Sequence, residues 1–431
     1  MQLDKGETPQ AGKILLGLLA GAVAGVACHA LFAPSPALEW MVTKVAQPVG
    51  QMWLRALIMI VLPLVFASLT LGVAGLGDVR KLGRIGVKTV AYFLITSALA
   101  ACIGLALVNT LRPGDGLSPQ TRTELLERFR GQAQQMAQQS GQTTFGIEML
   151  VNIVPRNPVA AAAQFDMLAV IFFSLLFGAA LSVLPADRAR PMIGFLEALG
   201  DIVVIIINWV MKLAPIGVFA LIFSVTALFG YDILVKLLGY VLTVLAGLAI
   251  HFFLVYSLLV WSLGKMNPLE FFRKIKTIVV TAFSTSSSNA TLPTTLQVTE
   301  RELGVPKEIC GFVLPLGATM NMHGTALFEG VTVLFIAQVL GVALSFEQQV
   351  IVVLMSMLMA VGAAGVPSGS IPLLMIVLGV IGLPPEAIAL VLGVDRILDM
   401  CRTTLNVTGD VTAALYIARS EGFELKPETG S

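Results

Sequence analysis

The sequence predicts an all-α polytopic membrane protein. Of its 431 residues, 56% are hydrophobic and 12% are Asp, Glu, Lys or Arg, about half the charged fraction usual in soluble domains. The mean hydropathy is +0.88. A soluble surface cannot be built from so few charges. Charge-free stretches run over residues 14–38, 56–77, 89–111, 167–186, 213–231, 237–264 and 348–385, several of them longer than the roughly 20 apolar residues that carry a helix across a bilayer. The period-2 alternation of an outer-membrane barrel is missing. A net charge of +1 without any Lys/Arg-rich run gives no reason to expect nucleic acid as a partner; the partner these features require is a lipid bilayer.

Along the chain, a polar segment from Met1 to Lys13 leads into a first helix that continues to residue 38. Cys28 closes the string AGVAC, which faintly resembles a lipoprotein cleavage box, but Gly25 stands where a large aliphatic residue is wanted, so the helix is expected to be uncleaved. A second apolar run starts near Met52, with Arg55 snorkelling at its start. Residues 112–146, rich in glutamine, read as a polar extramembrane loop without chemistry. Residues 89–111, 150–184, 193–229 and 237–264 are each expected to span once. Arg80, Lys81, Arg84 and Lys88 stand against one acid in Asp78–Lys88, and Lys265, Arg273, Lys274 and Lys276 against Glu270. The positive-inside rule puts both segments, and Arg188 with Arg190, in the cytoplasm, as it does both termini. Cys28, Cys102, Cys310 and Cys401 lie in apolar segments without metal-ligand spacing and read as small buried hydrophobes.

The C-terminal half differs in kind. A serine cluster, Thr281 to Thr295, sits inside the stretch 277–299, and Gly362 to Ser370 breaks the stretch 348–385 into arms of about 10 to 14 residues, too short for a hydrocarbon core of roughly 30 Å. Two hairpins, each entering and leaving on one side, solve this. Backbone freed at their tips is tolerated only where it is buried in protein or lines a wet cavity, and such paired breaks point to a transporter's binding site.

The last segment carries charges that lipid cannot solvate. At about 100° per residue, Asp395, Asp399, Arg402, Asn406 and Asp410 fall within an arc of roughly 80° on one helix face. Either internal salt bridges lock this helix into a bundle, or the stripe holds ligands; Thr403, Thr404 and Asn406 serve no lock, and three acids against two arginines leave room for a cation. Pro315 to Thr325 interrupts another helix at mid-span, and the carbonyls freed there are hard donors suited to a small cation. His29 and His251 read as satisfied core histidines. A Ser370 and His323 dyad of an intramembrane protease leaves the acid stripe unexplained, and two hairpins suit occlusion better than a channel, so no catalytic residue is expected.

At these motifs the sequence resembles the dicarboxylate/amino acid:cation symporter family, over about residues 13–420. The resemblance rests on the serine-rich hairpin with Thr291-Leu-Pro293, on Asn321-Met-x-Gly-Thr325, on Ala364-Gly-Val-Pro367, and on Asp399-Met-x-Arg-Thr-x-x-Asn-Val-Thr-Gly-Asp410. It implies eight transmembrane helices plus two re-entrant hairpins, inverted repeats, a homotrimer in a bacterial inner membrane, and elevator-type movement. Scaffold and transport-layer helices would occupy about 13–111 and 147–264. The core would occupy about 270–420, with hairpin 1 at 270–300, helix 7 at 306–340, hairpin 2 at 346–384 and helix 8 at 387–419.

By position, the resemblance assigns Arg402 to the substrate's side-chain carboxylate, Asp399 to its amino group and Asn406 to its α-carboxylate. Ser287, Ser288, Thr325, Val366, Pro367, Ser370 and Thr403 complete the substrate pocket. Gly317, Asn321, Asn406 and Asp410 form one sodium site, Thr319 and Met322 with the second hairpin another, and Thr96 and Ser97 with Asn321 resemble a third. Ser286 stands where archaeal relatives carry an arginine, and Met400 where animal relatives carry one; Arg396 is the candidate replacement charge. His323 replaces an aspartate of the third site and is, with Arg396, a coupling candidate. The expected function is symport of glutamate or aspartate with sodium and protons as co-transported ligands and no other cofactor; the alternative is a C4-dicarboxylate symporter.

Overall fold

The computed structural model describes residues 10–32, 35–117, 154–164, 167–362 and 369–425, and among these all regular structure is helical. The expectations for Val366 and Pro367, and for most of the 112–146 loop, lie outside the described residues. The main helices are α1 (Gln10–Phe32), α2 (Gln47–Ile58), α3 (Val61–Leu82), α4 (Arg84–Leu111), α5 (Met167–Val183), α6 (Ala186–Lys212), α7 (Ala214–Phe229), α8 (Asp232–Ala249), α9 (Tyr256–Ser262), α10 (Lys276–Thr285), α11 (Ser288–Arg301), α12 (Lys307–Met320), α13 (His323–Leu340), α14 (Phe346–Gly362), α15 (Ile371–Val380) and α16 (Leu392–Ser420). By length and composition, Arg84–Leu111, Ala186–Lys212, Ile233–Ser262 and Lys307–Leu340 suffice to cross a membrane. Large apolar side chains such as Phe195, Ile202, Ile205 and Trp209 on α6 point outward, as on a surface solvated by lipid.

Several boundaries depart from the sequence pattern, each for a local reason. The first helix stops at Phe32, and Pro36 opens a separate helix, because the proline ring suits a first turn and not an interior. The expected single span 193–229 is broken at Leu213, where Pro215 starts α7. The last helix begins at Leu392, after a 3-10 turn Pro385–Leu390. Of the cysteines only Cys310 is buried; Cys102 is exposed, and Cys28 and Cys401 are half-buried. A thiol facing lipid needs no burial, so hydrophobicity alone did not place them inside.

Two groups of helices pack side by side. In the peripheral group α1 lies against α7, α2 against α7, and α3 against α5. Gly17, Gly21 and Gly25 bring α1 onto α7 backbone to backbone; a Cβ at Gly21 would lie 2.7 Å from the Phe219 carbonyl oxygen. Small residues at four-residue spacing give close contact where lipid offers helices no hydrophobic drive to associate. The central group is organised on the Lys307–Leu340 pair, whose apolar window is 94% buried within the protein. There α13 packs on α4, α14 and α16, and α16 packs on α10 and α12.

The ends of these helices fix their directions. At one end, Glu421 at the foot of α16 receives Arg84 at 2.5 Å and Lys88 at 2.6 Å, and Arg419 Nε donates to the Gly264 carbonyl at 3.3 Å. The basic segments around residues 84 and 265 therefore share one face of the molecule with the end of α16. At the opposite end, the Gly114 amide donates to the side chain of Gln338 at 3.1 Å. The hydrogen bonds from Arg84 and then Lys88 hold the Glu421 carboxyl below its ordinary value of about 4.5. A depressed carboxyl stabilises the fold above its unfolded-state range and loses that contribution as pH falls through the lowered value. Glu421→Gln is expected to lower the thermal unfolding temperature in detergent at neutral pH and to have no effect once pH is below that value.

Candidate functional site

A pair of short helices belongs to the central group. Helices α10 and α11 pack together around Ser286, a non-glycine residue in the left-handed region at φ 50° and ψ 33°. Ser287, extended at φ −143°, turns its hydroxyl to accept the Ala290 amide at 3.2 Å and so caps α11. Thr285 and Thr291 bond across the turn at 2.9 Å. Ser286, Ser287 and Ser288 are all buried, and the Ser286 hydroxyl has no protein partner. Ser370, at the start of α15, is likewise buried with an unpartnered hydroxyl. Such orphaned groups are rare in finished cores and call for a partner such as water, an ion or a ligand.

Between α12 and α13 the chain leaves helical geometry at Asn321 (φ −121°, ψ 67°) and Met322 (φ −106°, ψ 67°). The break presents the carbonyl end of one helix and the amide end of the next at mid-depth, the negative and positive ends of two dipoles. Asn406 Oδ1 accepts the Gly324 amide at 2.8 Å, and its Nδ2 reaches Thr325 Oγ1 at 3.5 Å. Asp410 Oδ1 accepts from Asn321 Nδ2 at 2.9 Å, while Asn321 Oδ1 has no partner. Gly317 lies directly against Asp410; a Cβ there would run into the carboxylate. Gly317, Asn321, Asn406 and Asp410 are thus gathered around the break, with hard oxygens pointing inward. Thr319 is on the exposed side of α12, its hydroxyl turned back to the Leu316 carbonyl at 3.0 Å; Met322 is buried, and Thr325 Oγ1 lies 4.0 Å from its sulfur.

The polar stripe on α16 faces inward as its periodicity predicts: Asp395, Asp399, Arg402, Thr403, Asn406 and Asp410 are all buried. Arg402 is 1% exposed. Its Nη2 donates to Asp395 Oδ1 and to Asp399 Oδ1, each at 2.9 Å, and the Phe328 ring lies 3.8 Å below the guanidinium carbon, within cation–π range. Its Nε and Nη1 have no partner. Half-buried Arg396 reaches Asp399 Oδ2 at 3.5 Å. Internal salt bridges and an open set of donors therefore coexist on this helix.

His323 is fully enclosed. Its Nε2 meets Thr96 Oγ1 at 2.6 Å and its Nδ1 meets Tyr256 Oη at 2.7 Å. Each hydroxyl carries one proton and has a backbone carbonyl to give it to: Thr96 to Tyr92 at 2.6 Å, and Tyr256 to Leu405 at 2.9 Å. Both ring nitrogens then face lone pairs, which only the imidazolium satisfies twice; a neutral ring takes one proton back from a hydroxyl. Ser97 is buried beside Thr96 but makes no bond to the ring. His29, as expected, is satisfied by the Ala227 carbonyl at 3.0 Å. His251 is not: it is buried with neither nitrogen bonded, edge-on to Tyr256 at 4.9 Å and 5.3 Å from His323. Between α8 and α9 a π-turn, Ile250–Val255, lets the Tyr256 amide bond the His251 carbonyl, five residues back. In an α-helix these two side chains would point about 140° apart; the π-turn brings them together, which an α-helical reading of the sequence misses.

Glu329 was also missed. It follows Phe328 on α13, is fully buried, and neither carboxyl oxygen accepts a hydrogen bond; Ser356 of α14 and the Arg402 guanidinium are its polar neighbours. Its signal was present, since Glu329 is the lone charge in residues 309–346, and an acid inside a membrane helix is a functional candidate by default.

Comparison with known proteins adds to this geometry. The profile of the sodium:dicarboxylate symporter family matches residues 11–420. A proton/glutamate-aspartate symporter of Escherichia coli (strain K12) is 37% identical over 413 residues, 95% of this chain and 92% of its own length. A proton/sodium-glutamate symport protein of Geobacillus stearothermophilus is 35% identical, covering 96% and 94%. A C4-dicarboxylate transport protein of Bacillus subtilis (strain 168) is 34% identical, covering 88% of each chain.

Proposed function

Because this chain belongs to the sodium:dicarboxylate symporter family, we propose that it imports an acidic amino acid, glutamate or aspartate, together with sodium and protons. The observation that carries the reading is Arg402, a buried guanidinium with Nε and Nη1 unengaged, set beside the Asp399 carboxylate. A planar guanidinium recognises a carboxylate through two parallel hydrogen bonds. Asp399 supplies the opposite charge for an ammonium group, Asn406 and the amide end of α13 receive the α-carboxylate, and Ser287, Ser288, Thr325, Ser370 and Thr403 line the remainder, with Val366 and Pro367 carried over from the family resemblance alone. Sodium is held by carboxylate and carbonyl oxygens around Asp410, Asn321 and Gly317, by the Thr319 and Met322 region, and by Thr96 and Ser97. Helices α10–α11 and α14–α15 serve as re-entrant hairpins, the central group is the moving layer, and the chain works as an inner-membrane homotrimer with its basic end cytoplasmic.

Uptake of labelled aspartate into proteoliposomes, with sodium, proton and potassium gradients imposed separately, tests this; uptake indifferent to every gradient would reject it. Competition separates the second reading, a C4-dicarboxylate symporter, which the Bacillus subtilis relative favours. Succinate lacks the ammonium that Asp399 would read, so glutamate should compete at far lower concentration than succinate.

Two buried groups bear on coupling. Glu329→Gln keeps the shape of a side chain that no donor holds and removes its exchangeable proton; the expected result is sodium-driven uptake that no longer responds to a pH gradient. Reversal potentials measured against sodium and pH, with His323→Asp as the comparison and Arg396→Ala beside it, give the stoichiometry.

A further inference from the structure

We propose that Asp395 is the positioning residue that keeps Arg402 in place while Asp399 leaves to read the substrate's ammonium group, and that it thereby sets the preference for acidic amino acids over dicarboxylates lacking an amine. The inference rests on the acidic amino acid reading above.

Arg402 Nη2 carries two protons, and both are committed, one to Asp395 Oδ1 and one to Asp399 Oδ1 at 2.9 Å each. Both forks that a guanidinium offers a carboxylate, Nη1 with Nη2 and Nε with Nη2, use that same nitrogen. An arriving carboxylate therefore gains its two parallel bonds only when one aspartate gives way.

The two aspartates are not equivalent. Asp399 lies between two cations on the helix, three residues after Arg396 and three before Arg402, and bonds both. When it releases Arg402 it keeps Arg396 at hand and becomes available to an ammonium. Asp395 lies seven residues before Arg402, nearly two turns away on the same face, and is buried on the side of Tyr240, whose hydroxyl is tied to Thr332 at 2.8 Å. It balances the guanidinium from a side the substrate does not enter, so the departure of Asp399 leaves no bare buried cation.

Without the Asp395 charge, Asp399 becomes the carboxylate that must stay on Arg402. The ammonium then goes unread, and a substrate with an amine loses its advantage over one without.

The test is KM for aspartate and for succinate in proteoliposomes under one sodium gradient, for the unmodified protein, Asp395→Asn, Asp399→Asn and the double variant. Asp395→Asn is expected to reduce the aspartate-over-succinate preference about tenfold, the size of one charge-assisted contact, through the aspartate KM and with sodium dependence unchanged. The double variant should show no further loss of preference beyond Asp399→Asn, because both changes act through one interaction. A preference retained in Asp395→Asn, or lost additively in the double variant, overturns the proposal. Should Asp395→Asn fail to reach the membrane, Asp399→Asn decides alone: succinate KM near that of the unmodified protein supports Asp395 as the holder of Arg402, and loss of succinate recognition overturns it. An unmodified protein that takes up no aspartate would instead reject the acidic amino acid reading, and this inference with it.

Discussion

Replacing Arg402 by Cys should reduce glutamate and aspartate uptake by at least about a hundredfold, since breaking a buried charge pair typically costs about 3–5 kcal/mol. Three interactions go at once. The substrate carboxylate loses its bidentate partner, Phe328 loses the cation over its ring, and two buried carboxylates, Asp395 and Asp399, lose a shared counterion. The last effect acts on folding as well as on binding, so membrane abundance must be measured beside uptake. Combining Arg402→Cys with Asp395→Asn should recover abundance without recovering acidic uptake. Weak transport of a neutral amino acid such as serine should remain, because Asp399 still meets an ammonium. Retained aspartate uptake at normal abundance would remove Arg402 from the site.

The second large effect belongs to Asp410, reached from two directions. Asp410→Asn exchanges a carboxylate for an amide and should weaken apparent sodium affinity about tenfold or more, since each charged oxygen in a hard-cation site is worth at least one such step. Gly317→Ala leaves every charge in place and instead drives a methyl group into the Asp410 carboxylate. Helix α12 is buried at Ala318 and Met320 and cannot retreat, so the carboxylate must turn away from Asn321. Both variants should therefore raise the sodium concentration for half-maximal uptake while sparing aspartate recognition at saturating sodium. Unchanged sodium dependence in both would sever the break at Asn321 from coupling.

The sequence made the stripe on α16 legible because one helix with a fixed angular increment delivers all its members; no tertiary information was required. The interruption at Asn321 and the serine turn at Ser286 were legible for a similar reason, since glycine, proline and clustered hydroxyls have no cheap place inside an apolar span. What stayed hidden depends on neighbours distant in the chain. That Arg402 spends one nitrogen on two aspartates is a matter of rotamers, and that Phe328 of α13 lies against it follows from packing between helices. The contact of α1 with α7 was likewise invisible, although Gly17, Gly21 and Gly25 were in plain view, because glycines at that spacing name no partner.

The π-turn at Ile250–Val255 makes this region sensitive to chain length in a way that composition does not express. The turn accommodates one residue more than α-geometry needs, and that surplus is what aligns His251 with Tyr256 and Tyr256 with His323. Phe253 projects outward, 65% exposed, so exchanging it for Leu should pass unnoticed. Deleting it should let the turn relax to α-geometry with His251 and Tyr256 four residues and about 40° apart, whereas inserting a further residue should rotate everything after it by roughly 100° and take the Tyr256 hydroxyl off the imidazole. Among relatives, this stretch should vary freely in letters, and where it is one residue shorter it should be plain α-helix with the same side chains aligned.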